Sequence, residues 1–210
     1  MAAQARAWLE GRLVDFPGGR LLRLDGEVHP ALLRRSIRAI CGEIGYERLN
    51  AVEALADARR CATEIARGLY AERGRLGLYF LRRKPSPMRE MPLSLEGKTC
   101  LSGICTVAAR AAAPVPVRDD PARQALDADA LSGAMLRTRR DGDRIRPLGC
   151  GDKLLSDYFI DRKVDRPLRD ATPLIAVGGR VHWVCGHGIS QDAALSPGCD
   201  AVALKFEWEI

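Results

Sequence analysis

Five arginines fall within one short segment, Met135–Leu148 (MLRTRRDGDRIRPL). A guanidinium fork meets a phosphate or carboxylate with two parallel hydrogen bonds, where an ammonium offers only a point charge. Asp141-Gly142 predicts a two-residue type I′ hairpin turn. Around it Arg139 would face Arg144 and Arg137 would face Arg146. Alternation then puts Arg137, Arg139, Arg144 and Arg146 on one face and Leu136, Thr138 and Ile145 on the other. Like charges directly opposite each other destabilise a sheet. A polyanion backbone would remove that repulsion and gain charge-assisted hydrogen bonds. The competing reading is that acidic neighbours such as Asp143 and Asp157 neutralise the patch, or that the register slips by one.

The next segment, Gly149-Cys150-Gly151-Asp152-Lys153, leads into LLSDYFIDRK. Leu154, Leu155, Tyr158 and Phe159 have helical spacing, so free backbone N–H groups and Lys153 would sit together at a helix start, an anion site. Asp152 could instead cap the helix and repel phosphate. Arg162, Lys163, Arg166 and Arg169 add further basic charge. His182, Cys185 and His187 could in principle ligate zinc, as could Cys100 and Cys105. Neither spacing matches a common zinc module, and no metal is expected. The three histidines, His29, His182 and His187, form no triad with a serine or cysteine nucleophile, so no catalytic residue is assigned.

The elements that must position these residues fall into an α+β pattern. A short helix is expected over residues 2–13. A second begins at Pro30, with Leu33, Ile37, Ile40 and Ile44 inward and Arg34, Arg35 and Arg38 off that stripe, read as a solvated face. A third is expected from Asn50, with Glu53 in capping-box spacing, running through Leu55, Ala62, Ile65 and Leu69 to Gly68 as its end mark. Arg75–Arg83 alternates as a strand. Prolines 85, 87 and 92 then place a boundary. The expected organisation is a helical domain over residues 1–84, a Pro-rich linker over 85–92, and a mixed, mainly antiparallel β-rich domain with short helices over 93–210. Residues 93–110 read as short strands, and 113–121 as a connector. Gly178-Gly179 reads as a hairpin turn between Leu174–Val177 and Arg180–Val184. Val202, Leu204, Phe206, Trp208 and Ile210 alternate along a half-buried terminal strand.

Composition bounds the partners. The 210 residues carry a net charge of +6, with 28 arginines against five lysines. That balance suits a polyanion, although a GC-rich genome gives the same arginine bias. No apolar run approaches the ~18 residues of a membrane span, and no secretory signal opens the chain. The seven cysteines, irregularly spaced, are expected to be reduced thiols of a cytoplasmic protein.

Residues 125–149 (ALDADALSGAMLRTRRDGDRIRPLG) and the following KLLSDYFIDRKVDRPLRDATPLIAVGGRVHWVCGHGIS resemble the C-terminal region of bacterial tRNA(Ile)-lysidine synthetase. The match runs through Asp127, Asp129, Gly142, Asp143, Arg144, Arg146, Pro147, Leu148, Gly149, Lys153, Leu155, Asp157, Phe159, Ile160, Asp161, Lys163, Arg166, Arg169 and Asp170. Residues 29–83 resemble the family's helical substrate-binding domain more faintly. Two departures stand out. Asp165 takes the place of a proline that family members usually have before the basic R-x-x-R-D run. The S-G-G-x-D-S phosphate loop of the family's PP-loop ATPase domain is missing, since Ser102-Gly103-Ile104 is not one. The resemblance implies an ATP-dependent ligase that adenylates C2 of the wobble cytidine of tRNA(Ile) and then joins lysine to it. ATP and Mg would belong to that missing N-terminal domain, so no cofactor and no lone activity are expected of this chain, which reads as the tRNA-binding portion of such an enzyme. The implied partners are tRNA(Ile) and the PP-loop domain, and a homodimer is compatible with it. The implied RNA contacts are Arg137, Arg139, Arg144, Arg146, Lys153, Arg162, Lys163, Arg166 and Arg169. The alternative is a docking module that packs on a catalytic domain without touching RNA.

Overall fold

The computed structural model describes residues 7–16, 18–58, 62–82, 90–101, 104–110 and 120–208. It divides into two compact units. One comprises Met1–Ser86 with Asp165–Pro167, and the other Pro87–Val164 with Leu168–Ile210. The architecture is α+β, with mostly antiparallel sheets and short helices.

The first unit is built on a five-stranded antiparallel sheet, more β-rich than its sequence suggests. β1 (Leu13–Phe16), β2 (Gly19–Arg23), β3 (Ala62–Ala66), β4 (Leu69–Arg73) and β5 (Gly77–Arg82) lie in the order β1-β2-β5-β4-β3. Helix α1 (Pro30–Cys41) starts where expected, with the His29 Nδ1 accepting from the Ala31 N–H and Gly42 closing the helix at φ 76°. Helix α2 is Tyr46–Ala54, so the expected helix from Asn50 to Gly68 is replaced by a shorter helix and a hairpin. Asn50 does not cap, because its side-chain oxygen accepts from Arg34. Gly68 ends no helix; it sits at φ 81° in the turn that joins β3 to β4. Ile65 is buried as expected, but from a strand: it joins Leu22, Leu33, Ile37, Leu49, Val52 and Phe80 in one core. Of the helix expected over residues 2–13, residues 2–6 lie outside the described residues, residues 7–9 are helical as expected, and β1 occupies its end.

Asp165 replaces the expected proline with a set of hydrogen bonds in this unit. Its carboxylate accepts from the backbone N–H groups of Arg75 (3.0 Å) and Leu76 (2.9 Å) and from the Tyr79 hydroxyl (2.7 Å). A Cβ on Gly74 would come within 2.4 Å of the Tyr79 ring and 2.8 Å of this carboxylate, so that position takes only glycine without rearrangement.

The second unit contains two sheets. β7 (Gly97–Leu101), β8 (Ile104–Arg110), β16 (Ala201–Trp208) and β9 (Arg123–Asp127) pair in that order. β12 (Lys153–Leu154), β11 (Arg144–Ile145), β14 (Arg180–Val184), β13 (Leu174–Val177), β10 (Met135–Arg137) and β6 (Met91–Pro92) form the other, with β15 (Gly188–Ile189) against β14. Every pairing is antiparallel except β11 with β14. β16 buries Val202, Leu204 and Phe206 by alternation, as its sequence requires, and Ile210 lies outside the described residues. β13 and β14 are buried on both faces. Ile175 and Trp183 join a core with Leu126, Val202 and Leu204. Leu174, Ala176, Val181 and Val184 join another with Tyr158 and Phe159 of helix α3 (Leu155–Asp161). This apolar sheet holds the arginine-bearing turns. A further turn of helix, α4 (Arg166–Arg169), follows. The expected linker (85–92) and connector (113–121) fall largely outside the described residues.

Candidate nucleic-acid interface

The arginine hairpin does not form as expected. Asp141-Gly142 does turn the chain, with the Asp143 N–H donating to the Arg140 carbonyl at 3.3 Å. Only Gly142, at φ 85°, has positive φ, whereas a type I′ turn needs it at both central residues. A turn of the other kind splays its flanking strands. β10 therefore pairs with β13 and β6, while β11 pairs with β12 and β14. The expected single face of four guanidiniums does not exist.

Arg137 is the clearest correction. Its side chain and that of Asp143 are 2% and 1% exposed. The guanidinium donates twice to the Asp143 carboxylate, at 2.7 and 2.8 Å. It also donates to the carbonyls of Thr138 (2.9 Å) and Gly178 (2.7 Å). Asp143 in turn accepts from the Arg140 backbone N–H at 2.8 Å. A buried guanidinium with its donors engaged has no fork left for phosphate. Its geometry makes it a strut that fixes two turns, 140–143 and 177–180, and each turn leads directly to an exposed arginine.

Those two residues are Arg144, which opens β11, and Arg180, which opens β14; they lie in register across the parallel pair. Like charges so placed repel, and Asp152 lies between them. Its carboxylate accepts from Arg144 Nε at 2.5 Å and from Arg180 Nη1. Arg180 and Arg146 each also approach the Asp192 carboxylate, at 3.8 Å. Three guanidiniums thus share two carboxylates, leaving one positive charge in excess. All three remain exposed: Arg144 by 45%, Arg180 by 43% and Arg146 by 54%. The adjacent arginines, Arg144 first and then Arg180, hold the Asp152 carboxyl below the usual carboxylate range. Exposed ion pairs of this kind contribute little net stability, so these arginines can exchange a carboxylate for another oxyanion at little cost.

Lys153 stands immediately before the Leu154 N-cap of α3, in a strand rather than in the helix's first turn. It lies in β12, opposite Ile145, and its ammonium donates to Asp161 at 2.8 Å, which raises its proton affinity. Asp152 neither caps α3 nor stands apart; it is spent on the two arginines. Arg139 pairs with Asp170 at 2.5 Å. Arg162 covers the Tyr158 ring, 5.5 Å from its centroid, at the end of α3. Lys163 follows at φ 55°, exposed. Arg169 Nε donates to the Val164 carbonyl at 2.9 Å. Arg166 is exposed and belongs to the first unit. The sequence reading missed Arg180. The Gly178-Gly179 turn was legible and places Arg180 at a strand start, but nothing local announces a parallel partner carrying Arg144.

The zinc candidates have other duties. Cys185 is in the apolar core, and burial pushes its thiol far up. His182 is buried in β14, and His187 meets Phe159 edge-on at 6.4 Å. Among the described residues no group of three or more such side chains could hold a metal ion. Cys100 is disulfide-bonded, contrary to the expectation of reduced thiols, while Cys41, Cys150, Cys185 and Cys199 are free. No helix among the described residues is long and apolar enough to cross a membrane.

The second unit is thus a two-sheet α+β domain that displays braced surface arginines. Residues 134–208 match the family described as the TilS substrate C-terminal domain. The chain is 41% identical over 111 residues to a tRNA(Ile)-lysidine synthase of Symbiobacterium thermophilum, covering 50% of this chain and 23% of that protein. It is 43% identical over 67 residues to that of Caldanaerobacter subterraneus, covering 31% and 14%. A solved structure described as the TILS C-terminal domain superposes with a TM-score of 0.50 at 25% identity, over 59% of this chain and 98% of that one. The chain therefore spans less than a quarter of the length of these curated relatives.

Proposed function

We propose that this chain supplies tRNA recognition to lysidine formation on the wobble cytidine of tRNA(Ile), with ATP, Mg and the adenylation chemistry residing in a separate PP-loop domain. One observation carries the reading: Arg144, Arg180 and Arg146 are exposed, held in place by Asp152 and Asp192, and in charge excess. RNA phosphates displace those carboxylates, and affinity is then mainly electrostatic, with shape selecting the RNA. Lys153, Arg139, Arg162, Lys163, Arg166 and Arg169 are further phosphate contacts in this reading. Arg137 makes no RNA contact in this reading, because its fork is occupied inside the protein.

The test is binding of a tRNA(Ile) transcript to the 210-residue chain across a salt series. Steep salt dependence is expected, and Arg144→Ala with Arg180→Ala should lower the slope by about two. If the parent chain shows no salt-dependent tRNA binding, the surface serves protein docking instead. The chain alone should release no AMP from ATP, tRNA and lysine.

A further inference from the structure

Among the described residues Tyr46 is the most exposed large hydrophobic side chain, at 67%, and belongs to no core cluster. An aromatic side chain in water normally gains nothing from being held still, yet this one is braced. Arg34 of α1 lies over its ring, 5.5 Å from the centroid. Arg34 is itself fixed from α2: Nε donates to Glu53 at 2.6 Å, and Nη2 donates to Asn50. Asn50 and then Arg34 also lower the proton affinity of the Tyr46 phenol. Cation–π contact at an exposed site contributes little stability, and ordering two long side chains opposes it. The arrangement makes sense as a preformed surface for a second planar group, since the ordering cost is then met before binding.

The surrounding charge indicates which planar group. Arg35 and Arg38 are exposed on α1, three residues apart and so side by side on the helix surface. Among the described residues no ion pair engages either. A flat aromatic surface, together with unneutralised guanidiniums on the helix that supplies Arg34, is a combination that suits single-stranded nucleic acid: the ring takes a base and the cations take its phosphates. An acidic peptide would use the arginines but has no need of the ring.

We infer that Tyr46, backed by Arg34, is a stacking platform for an unpaired RNA base, with Arg35 and Arg38 holding the adjoining phosphates. This rests on the RNA-binding reading above, and extends it to a different unit and to single-stranded rather than helical RNA.

The probe is a short oligoadenylate carrying one 2-aminopurine, titrated against the 210-residue chain. Binding should quench the 2-aminopurine, the signature of stacking. Tyr46→Ala should weaken binding by about fivefold to a hundredfold, the range for loss of one stacked base, and should abolish the quench. Tyr46→Phe should retain both. Arg35→Ala with Arg38→Ala should keep the quench and lower the salt slope by about two. Tyr70→Ala, which removes an exposed tyrosine on β4 without such a brace, should change neither. Far-UV circular dichroism of each variant verifies folding, and Tyr46→Phe keeps the test decisive if the alanine variant is damaged. The platform is overturned if Tyr46→Ala binds and quenches like the parent, or if Tyr46→Phe loses as much as Tyr46→Ala. Should Arg144→Ala with Arg180→Ala still weaken tRNA binding in that event, only the platform fails. Absence of binding to both oligoadenylate and tRNA at low salt overturns both readings.

Discussion

The Arg137–Asp143 pair and the Arg144–Asp152–Arg180 bridge use the same two side-chain types, but opposite physics governs them. The first is buried, bidentate and saturated with backbone partners. Removing one member leaves an uncompensated charge in low dielectric. The second is exposed and over-supplied with guanidinium, so water or another anion can replace any partner. Charge count alone does not mark a binding site; accessibility and unfilled hydrogen-bonding capacity do.

The sharpest break of this comparison is Arg137→Ala. It should cost about 3–5 kcal/mol, read as a fall in the chemical-denaturation midpoint. Arg137→Met combined with Asp143→Leu should restore much of that loss, because no charge is then left buried alone. A double variant as unstable as the single one would show that the strut acts through its carbonyl contacts rather than through the pair.

Arg144→Ala with Arg180→Ala comes next in size and reverses the pattern. The unfolding midpoint should stay near that of the parent while tRNA affinity drops at every RNA sequence tried. A large loss of stability here would place this bridge with the buried pair. Asp152→Asn should do the opposite to binding: two guanidiniums lose a competitor, and tRNA affinity should rise. Weaker binding by this variant would mean that Asp152 chiefly aims the arginines.

The smallest effects are those of pH, and they fall in two windows. Burial lowers the proton affinity of His182, and burial followed by Arg162 lowers that of His187. Below the ordinary histidine value of ~6.5 the unfolded chain takes up protons that the folded chain refuses, so stability should fall as pH drops through that range. The Asp152 carboxyl is depressed in the folded state. Its contribution is complete above the ordinary carboxylate value of ~4 and is lost only as pH falls through the lower folded value. Denaturation midpoints from pH 8 to pH 3 should therefore decline first near the histidine range. A His182→Gln variant that leaves the first decline unchanged would remove that residue from it.

Local pattern was enough wherever one face of an element meets the core. The alternation of β16, the Gly178-Gly179 turn and the start of α1 at Pro30 all appear as read, because each depends on neighbours two to four residues away. The helix expected from Asn50 to Gly68 failed for the complementary reason. Leu55, Ala62 and Ile65 fit a helical stripe, but Ile65 reaches the same core from a strand, and Gly68 suits a hairpin as well as a helix end. Asn50 and Glu53, read as a cap, are consumed by Arg34 from a different helix, a partner invisible to spacing.

Sequence by itself determined that this chain carries a dense run of arginines within a C-terminal segment similar to the lysidine synthases, and that β-strands would display it. Only tertiary structure decided which of those arginines remain available. The choice depends on where Asp143, Asp152 and Asp192 lie in space and on a parallel pairing of β11 with β14 that joins residues 36 positions apart. A guanidinium's partner is set by distance in three dimensions and by the dielectric around it, and neither is written in the order of the residues.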